Sequence, residues 1–292
     1  MRLLWVTPCI IAFLAGASAR PQALTQKEAC AKFSDAVVRI DGAGQSLGSG
    51  FIVSSDGYVL TASHVIRDES GKPFAAIFVT LSNGQMMPAN PVIAPSPESV
   101  GQDFVILKID GQTKLPFLTL GSVEEVVTGG DATIIGFPFS ALDRQDEYVK
   151  RKFCLAALFA ASDIETIPVH ETHGPANGIS QIVDKNVQVD VIYFQGPSVK
   201  GISGSPIISR DTGNVVGIVS TKLSGISPAL EQLKEFTGQP QQGQVGIMGV
   251  NPVEAFNQIT TVLDLQLANG LGSAVGIDDP KEALKRAQRH KK

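Results

Sequence analysis

The sequence predicts an all-β fold, and three observations carry that prediction. Short Val/Ile-rich runs of four to six residues recur along the chain, too short for helices and rich in β-branched residues. Turn signals punctuate them, with 29 Gly and 17 Pro distributed throughout the 292 residues. The composition, 43% hydrophobic and 18% charged, is that of a globular chain long enough to bury one large or two small cores without a staple.

In chain order, the first 19 residues stand apart. Arg2 precedes an apolar stretch from Leu3 to Gly16, and Ala17-Ser18-Ala19 forms an A-x-A site. This reads as a signal peptide removed before Arg20, so the mature protein is expected to be exported, periplasmic or secreted, without stable membrane insertion. Residues 20–34 read as an N-terminal leader with a helix from Thr25 to Phe33. Strands follow at 36–40, 48–53, 58–61, 76–81 and 104–109. Ser55-Asp56-Gly57 marks a hairpin, and 91–102 reads as a Pro/Ser-rich loop. A connector near Gly121 and Gly129-Gly130 separates these from strands at 132–135, 186–194, 206–209 and 215–220. Residues 140–178 show no pattern that places them. Helix starts are readable at Ser227-Pro228, Asn251-Pro252 and Asp279-Pro280, each a capping residue followed by proline at the first helical position. The expected divisions are 1–19, 20–34, a first β unit at 35–122, a second with a C-terminal helix at 123–265, and a basic tail at 266–292.

The formal net charge of −4 argues against nucleic acid as a partner, because a phosphate footprint needs clustered cations. Lys281, Lys285, Arg286, Arg289, Lys291 and Lys292 do cluster, and read as a solvated helix end. Cys9 leaves with the signal. Cys30 and Cys154 remain, in a compartment that permits disulfides. They either pair or stay as two thiols, since the sequence carries no Cα separation. His170 and His173, beside Glu171, have no scaffold or third ligand for zinc and read as surface-loop residues. No metal or cofactor is expected.

Chemistry enters through three segments. His64 follows a buried strand in Thr61-Ala-Ser-His64. Asp103 immediately precedes the apolar strand Phe104 to Ile109, where a buried carboxylate needs a partner such as a His Nδ1–H. Ser203 lies in Gly201-Ile-Ser203-Gly-Ser-Pro206. Serine becomes nucleophilic when a base takes its proton, and the N–H groups of Gly201 and Ser203 can form a two-donor oxyanion hole. The order His, Asp, Ser separates this arrangement from α/β-hydrolases (Ser, acid, His) and subtilisins (Asp, His, Ser), and matches the chymotrypsin-type order.

The stretch from Gly48 through Val59-Leu-Thr-Ala-Ser-His64-Val-Ile66 resembles the His region of bacterial trypsin-like serine proteases, in particular the HtrA group. Asp103-Phe-Val-Ile-Leu-Lys-Ile109 is similar to their Asp region, and Thr133-Ile-Ile-Gly-Phe-Pro138 to the strand opening their second barrel. Gly201 to Pro206 with Val216-Gly-Ile-Val-Ser220 resembles their Ser region and substrate strand. The resemblance spans about residues 35–260. It implies two packed six-stranded antiparallel β-barrels of the chymotrypsin type, here with short C-terminal helices, and an active site in the cleft between them. It further implies a serine endopeptidase acting through an acyl-enzyme, with His64 as general base, Asp103 as its orienter and Ser203 as nucleophile. Ser220, Thr221 and Lys222 would pair with the extended backbone of a protein or peptide substrate. Pro197 and Ser198 would lie near the side-chain pocket, where the lack of Asp or Glu argues against Arg/Lys preference.

The departures carry expectations of their own. Ile202 stands where trypsin-like zymogens have an Asp that pairs with the new N-terminus, so no such activation is expected. Val65 replaces the Cys of animal trypsins. Residues 264–292 are fewer than the about 50 a further domain commonly needs, so no PDZ domain is expected. The segment 228–236 with the Gln-rich stretch 239–244 is a candidate lid, against the plainer reading of a surface excursion. The alternative function is a catalytically silent or substrate-holding binding protein on the same fold, since fold does not fix activity. A homo-oligomer is compatible with either.

Overall fold

The computed structural model describes residues 22–289 apart from 43–44, 69–71, 94–102, 112–113, 139–150, 177–178, 200 and 221–271. The expected signal segment, the helices at Ser227 and Asn251, the candidate lid and the residues Thr221 and Lys222 lie outside the described residues.

Two closed antiparallel barrels of six strands each make up the fold. The first comprises β1 (Val37–Gly42), β2 (Gln45–Ile52), β3 (Tyr58–Thr61), β4 (Ile77–Thr80), β5 (Met86–Ile93) and β6 (Val105–Ile109), in the order β1-β2-β3-β6-β5-β4. The second comprises β7 (Asp131–Gly136), β8 (Phe153–Ala176), β9 (Ile179–Gln195), β10 (Pro206–Ser209), β11 (Val215–Val219) and β12 (Gly272–Gly276), in the order β10-β11-β12-β9-β8-β7. Each barrel has its own aliphatic core. Val38, Ile40, Val59, Val79, Leu107 and Ile109 fill the first, and Ile134, Phe159, Ile192, Phe194, Ile207 and Val219 fill the second. A third cluster, including Phe33, Phe51, Leu60, Ile106, Ile135, Phe137 and Ile218, draws on both barrels and holds them together. Burying each such side chain is worth about 1.5–3 kcal/mol. Closure also removes the exposed strand edges that an open sheet would leave.

Helix α1 (Gln26–Phe33) starts where the sequence places it. Thr25 accepts from the Glu28 N–H at 3.2 Å, and the Glu28 carboxylate accepts from the Thr25 N–H at 2.9 Å. The helix packs Ala29 and Phe33 into the inter-barrel cluster. Cys30 on α1 is joined to Cys154 on β8, with Cα atoms 5.9 Å apart. That bond ties the leader to the second barrel across 124 residues of chain.

The structure departs from sequence expectation at three strands. Strand β5 occupies residues whose end was read as loop. Its Pro91 sits beside a register shift against β6, where a missing N–H costs no ladder bond. Residues 153–176, within the stretch that had no readable pattern, form β8. It pairs with β9 from Leu158↔Gln195 outward, so His170 is in register with Asp184 and His173 with Gln181 on paired strands rather than in a loop. Strand β12, at 272–276, lies between β11 and β9. The second barrel therefore extends past the expected boundary at 265. The expected basic tail instead contains this strand and helix α2 (Asp278–Arg289), which buries Pro280, Ala283 and Leu284. Gly-Ser-Ala-Val-Gly is too short and too glycine-rich to announce a central strand. Pairing on both sides decides it.

Candidate active site

Strand pairing brings His64 and Asp103 together. Strands β3 and β6 pair with Thr61 opposite Val105. His64 lies three residues beyond Thr61, in a short 3-10 turn at Ser63–Ile66, and Asp103 lies two residues before Val105. Both leave the same end of the first barrel. His64 Nδ1 meets Asp103 Oδ2 at 2.6 Å, and the His64 backbone N–H donates to Asp103 Oδ1 at 3.0 Å. One carboxylate thus holds both the ring and the main chain of His64, which fixes the ring's orientation and places the proton on Nδ1.

A third donor comes from the second barrel. Ser220, immediately after β11, donates from Oγ to Asp103 Oδ2 at 2.5 Å. Asp103 is only 7% exposed. Burial by itself would raise its pKa. The hydrogen bond and charge of His64, the Ser220 hydroxyl and the His64 N–H outweigh that and lower it to about 2. Asp103 is therefore ionised across the neutral range.

Ser203 lies in the turn that leads into β10. Ile202 N–H donates to the Val199 carbonyl at 3.2 Å, closing a turn in which Gly201 has φ +93°. Gly204 has φ +84°, and a Cβ there would collide with the Ser49 carbonyl and Thr61 Oγ1. Only glycine fits both the conformation and the space. The turn consequently lies against Thr61-Ala62, next to His64 in the chain. The Ser203 carbonyl accepts from the Ser49 N–H of the first barrel at 2.9 Å. The turn that holds Gly201 and Ser203 thus lies against Ser49 and Thr61-Ala62 of the first barrel.

Ile202 is fully buried in the core of the second barrel, with Ile134, Phe194 and Ile207. Apolar packing anchors the turn at this position. Pro197 is half-buried, and Ser198 is 6% exposed with no hydrogen-bond partner for its Oγ among the described residues. Ser220 was expected to contribute through its backbone alone. Its N–H bonds to the Ser273 carbonyl at 3.0 Å, and its side chain belongs to Asp103. Sequence reasoning missed that contact, as it missed Ser49. The only local signal at Ser49 is its placement between Gly48 and Gly50, since glycines in a strand mark a close backbone approach. Among the described residues no group of His, Cys, Asp and Glu is arranged to hold a metal ion.

A family model described as a trypsin-like peptidase domain matches residues 48–218. A probable periplasmic serine endoprotease, DegP-like, of Halomonas elongata is 28% identical over 255 residues, covering 82% of this chain and 43% of that protein. A protein of the same description from Chlamydia trachomatis is 30% identical over 234 residues, covering 76% of this chain and 40% of that one. The chain spans about two fifths of the length of these relatives. Among solved structures, an HtrA-type protease AlgW with decapeptide aligns with a TM-score of 0.54 at 20% identity, covering 91% of this chain and 68% of that one. At that identity the likeness speaks to the fold.

Proposed function

The chain belongs to the trypsin-like peptidase domain family, and from that premise we propose that it is an exported serine endopeptidase whose triad is His64, Asp103 and Ser203. One observation carries the proposal. The buried, ionised Asp103 grips both Nδ1 and the main-chain N–H of His64 and is met by the Ser220 hydroxyl of the second barrel.

In this reading His64 Nε2 takes the proton of Ser203 Oγ as that oxygen attacks the scissile carbonyl. Asp103 stabilises the imidazolium that forms without taking its proton. The oxyanion receives the N–H groups of Gly201 and Ser203, each worth about 2.7–4 kcal/mol in the transition state. The proton passes from His64 to the leaving amine, and an acyl-Ser203 intermediate remains. Water, deprotonated by His64, then releases the acid. The segment from Ser220 onward pairs with the substrate backbone, and the pocket beside Pro197 and Ser198 takes a small or apolar side chain. The apolar stretch ahead of Arg20 and the periplasmic descriptions of the relatives support an extracytoplasmic site of action.

The test is intact mass after treatment with a fluorophosphonate. A single adduct on the wild type, absent from Ser203→Ala and His64→Ala, is expected. A folded wild type that takes up no adduct would refute the reading and leave the silent binding protein in its place.

A further inference from the structure

We propose that Ser49 is a positioning residue that sets the oxyanion donors from across the barrel seam; the inference rests on the hydrolase reading above. Ser49 belongs to β2 of the first barrel and is completely buried. Each of its polar atoms is engaged. Its N–H donates to the Ser203 carbonyl at 2.9 Å, and its Oγ donates to the Gly201 carbonyl at 2.8 Å. The same Oγ accepts from the Phe137 N–H at 2.9 Å, and the Ser49 carbonyl accepts from Thr61 Oγ1 at 2.6 Å.

The placement of the first two bonds matters. The carbonyls of Gly201 and Ser203 flank the Ile202–Ser203 peptide, whose N–H is one proposed oxyanion donor. A single residue of the opposite barrel therefore holds the peptide plane on each side of that donor. The Gly201 carbonyl also defines one end of the Gly201 backbone, whose φ of +93° sets the direction of the second donor. Glycine crosses to other conformations at little cost. The local closure by Ile202 N–H on the Val199 carbonyl is long, at 3.2 Å. Inside the turn the Ser205 N–H also holds the Ile202 carbonyl at 3.0 Å, and the hydroxyl of Ser49 adds a restraint on the Gly201 carbonyl from outside the turn. Gly48 and Gly50 permit it, because a Cβ at Gly48 would press on the Ser203 carbonyl and Val65, and one at Gly50 on Ile40 and the Leu60 carbonyl. The Phe137 N–H, at the end of β7, fixes the Oγ lone pair so that its proton points to Gly201.

A residue acting this way changes the transition state and leaves ground-state substrate binding alone. Ser49→Ala is expected to lower kcat on labelled casein by about 10- to 100-fold, less than the loss of a whole donor, with KM within about twofold. The second-order rate of fluorophosphonate labelling, which also builds negative charge on that oxygen, is expected to fall by the same factor. Ser49→Cys keeps the volume but offers only a weak donor; it is expected to fall between the two, and it carries the test if Ser49→Ala does not fold. A folded variant with wild-type kcat and labelling, or one whose loss lies wholly in KM, would overturn the inference while the wild type still labels. A wild type that never labels would remove the hydrolase reading, and this inference with it.

Discussion

Ser220 Oγ donates to Asp103 Oδ2 at 2.5 Å, on the same oxygen that meets His64 Nδ1 at 2.6 Å. The two donors come from opposite barrels. The carboxylate proposed to orient His64 as base is therefore itself held by the strand end proposed to receive substrate.

Ser220→Ala removes a charge-assisted hydrogen bond of about 1.5–3 kcal/mol from the carboxylate. The Asp103 pKa is expected to rise from about 2, and kcat to fall by about tenfold with KM little changed. Steady-state kinetics on labelled casein check this. An unchanged kcat would mean that the two His64 contacts suffice.

Asp103→Asn is expected to cut kcat by about 10⁴-fold, because a neutral amide holds the wrong imidazole tautomer. The wild type also carries a pH signature. Its folded pKa of about 2 lies below the ordinary aspartate value of 3.8, so ionised Asp103 contributes stability that is fully present above about pH 4. That contribution is lost as pH falls through the folded value. Urea midpoints at pH 6 and pH 2.5 check the sign. The wild type should lose more between them than Asp103→Asn does.

Ile202→Asp would place a carboxylate in a fully buried apolar site. Among the apolar side chains of that core it is expected to destabilise the fold by about 3–5 kcal/mol. Chemical denaturation measures this. A neutral effect would show that a partner for the carboxylate is available there.

Reduction of Cys30–Cys154, or Cys30→Ser, frees the leader from the second barrel. The expected loss is about 2–5 kcal/mol, read as a lower urea midpoint under reducing conditions. Helix α1 buries Ala29 and Phe33 in the cluster shared by the barrels, so the loss should appear in global unfolding and not only in fraying of the leader.

Much of the site was legible because its parts are local. His64 beside a buried strand, Asp103 ahead of one and the Gly-Ile-Ser-Gly turn each carry a signature within a few residues. Their order along the chain then identified the type of arrangement. The strands with clear Val/Ile runs, such as Val105–Ile109 and Val215–Val219, were legible for the same reason. Strand β5 was hidden by Pro88, which pairs with Phe78 of β4, and by Pro91, which sits beside the register shift against β6. Residues 153–176 were hidden by polar and glycine-containing stretches that only pairing with β9 turns into a strand.

By itself the sequence determined the all-β class, the helix that begins at Thr25 and the His–Asp–Ser order. Each depends on the conformational preferences of a residue and its neighbours. Tertiary structure alone decided that Ser220 serves Asp103 across 117 residues, that Ser49 reaches Gly201 across 152, and that Cys30 and Cys154 pair. Such contacts depend on how two closed barrels meet. That geometry comes from the burial of both cores together, and the glycines on either side of Ser49 are a local hint of it.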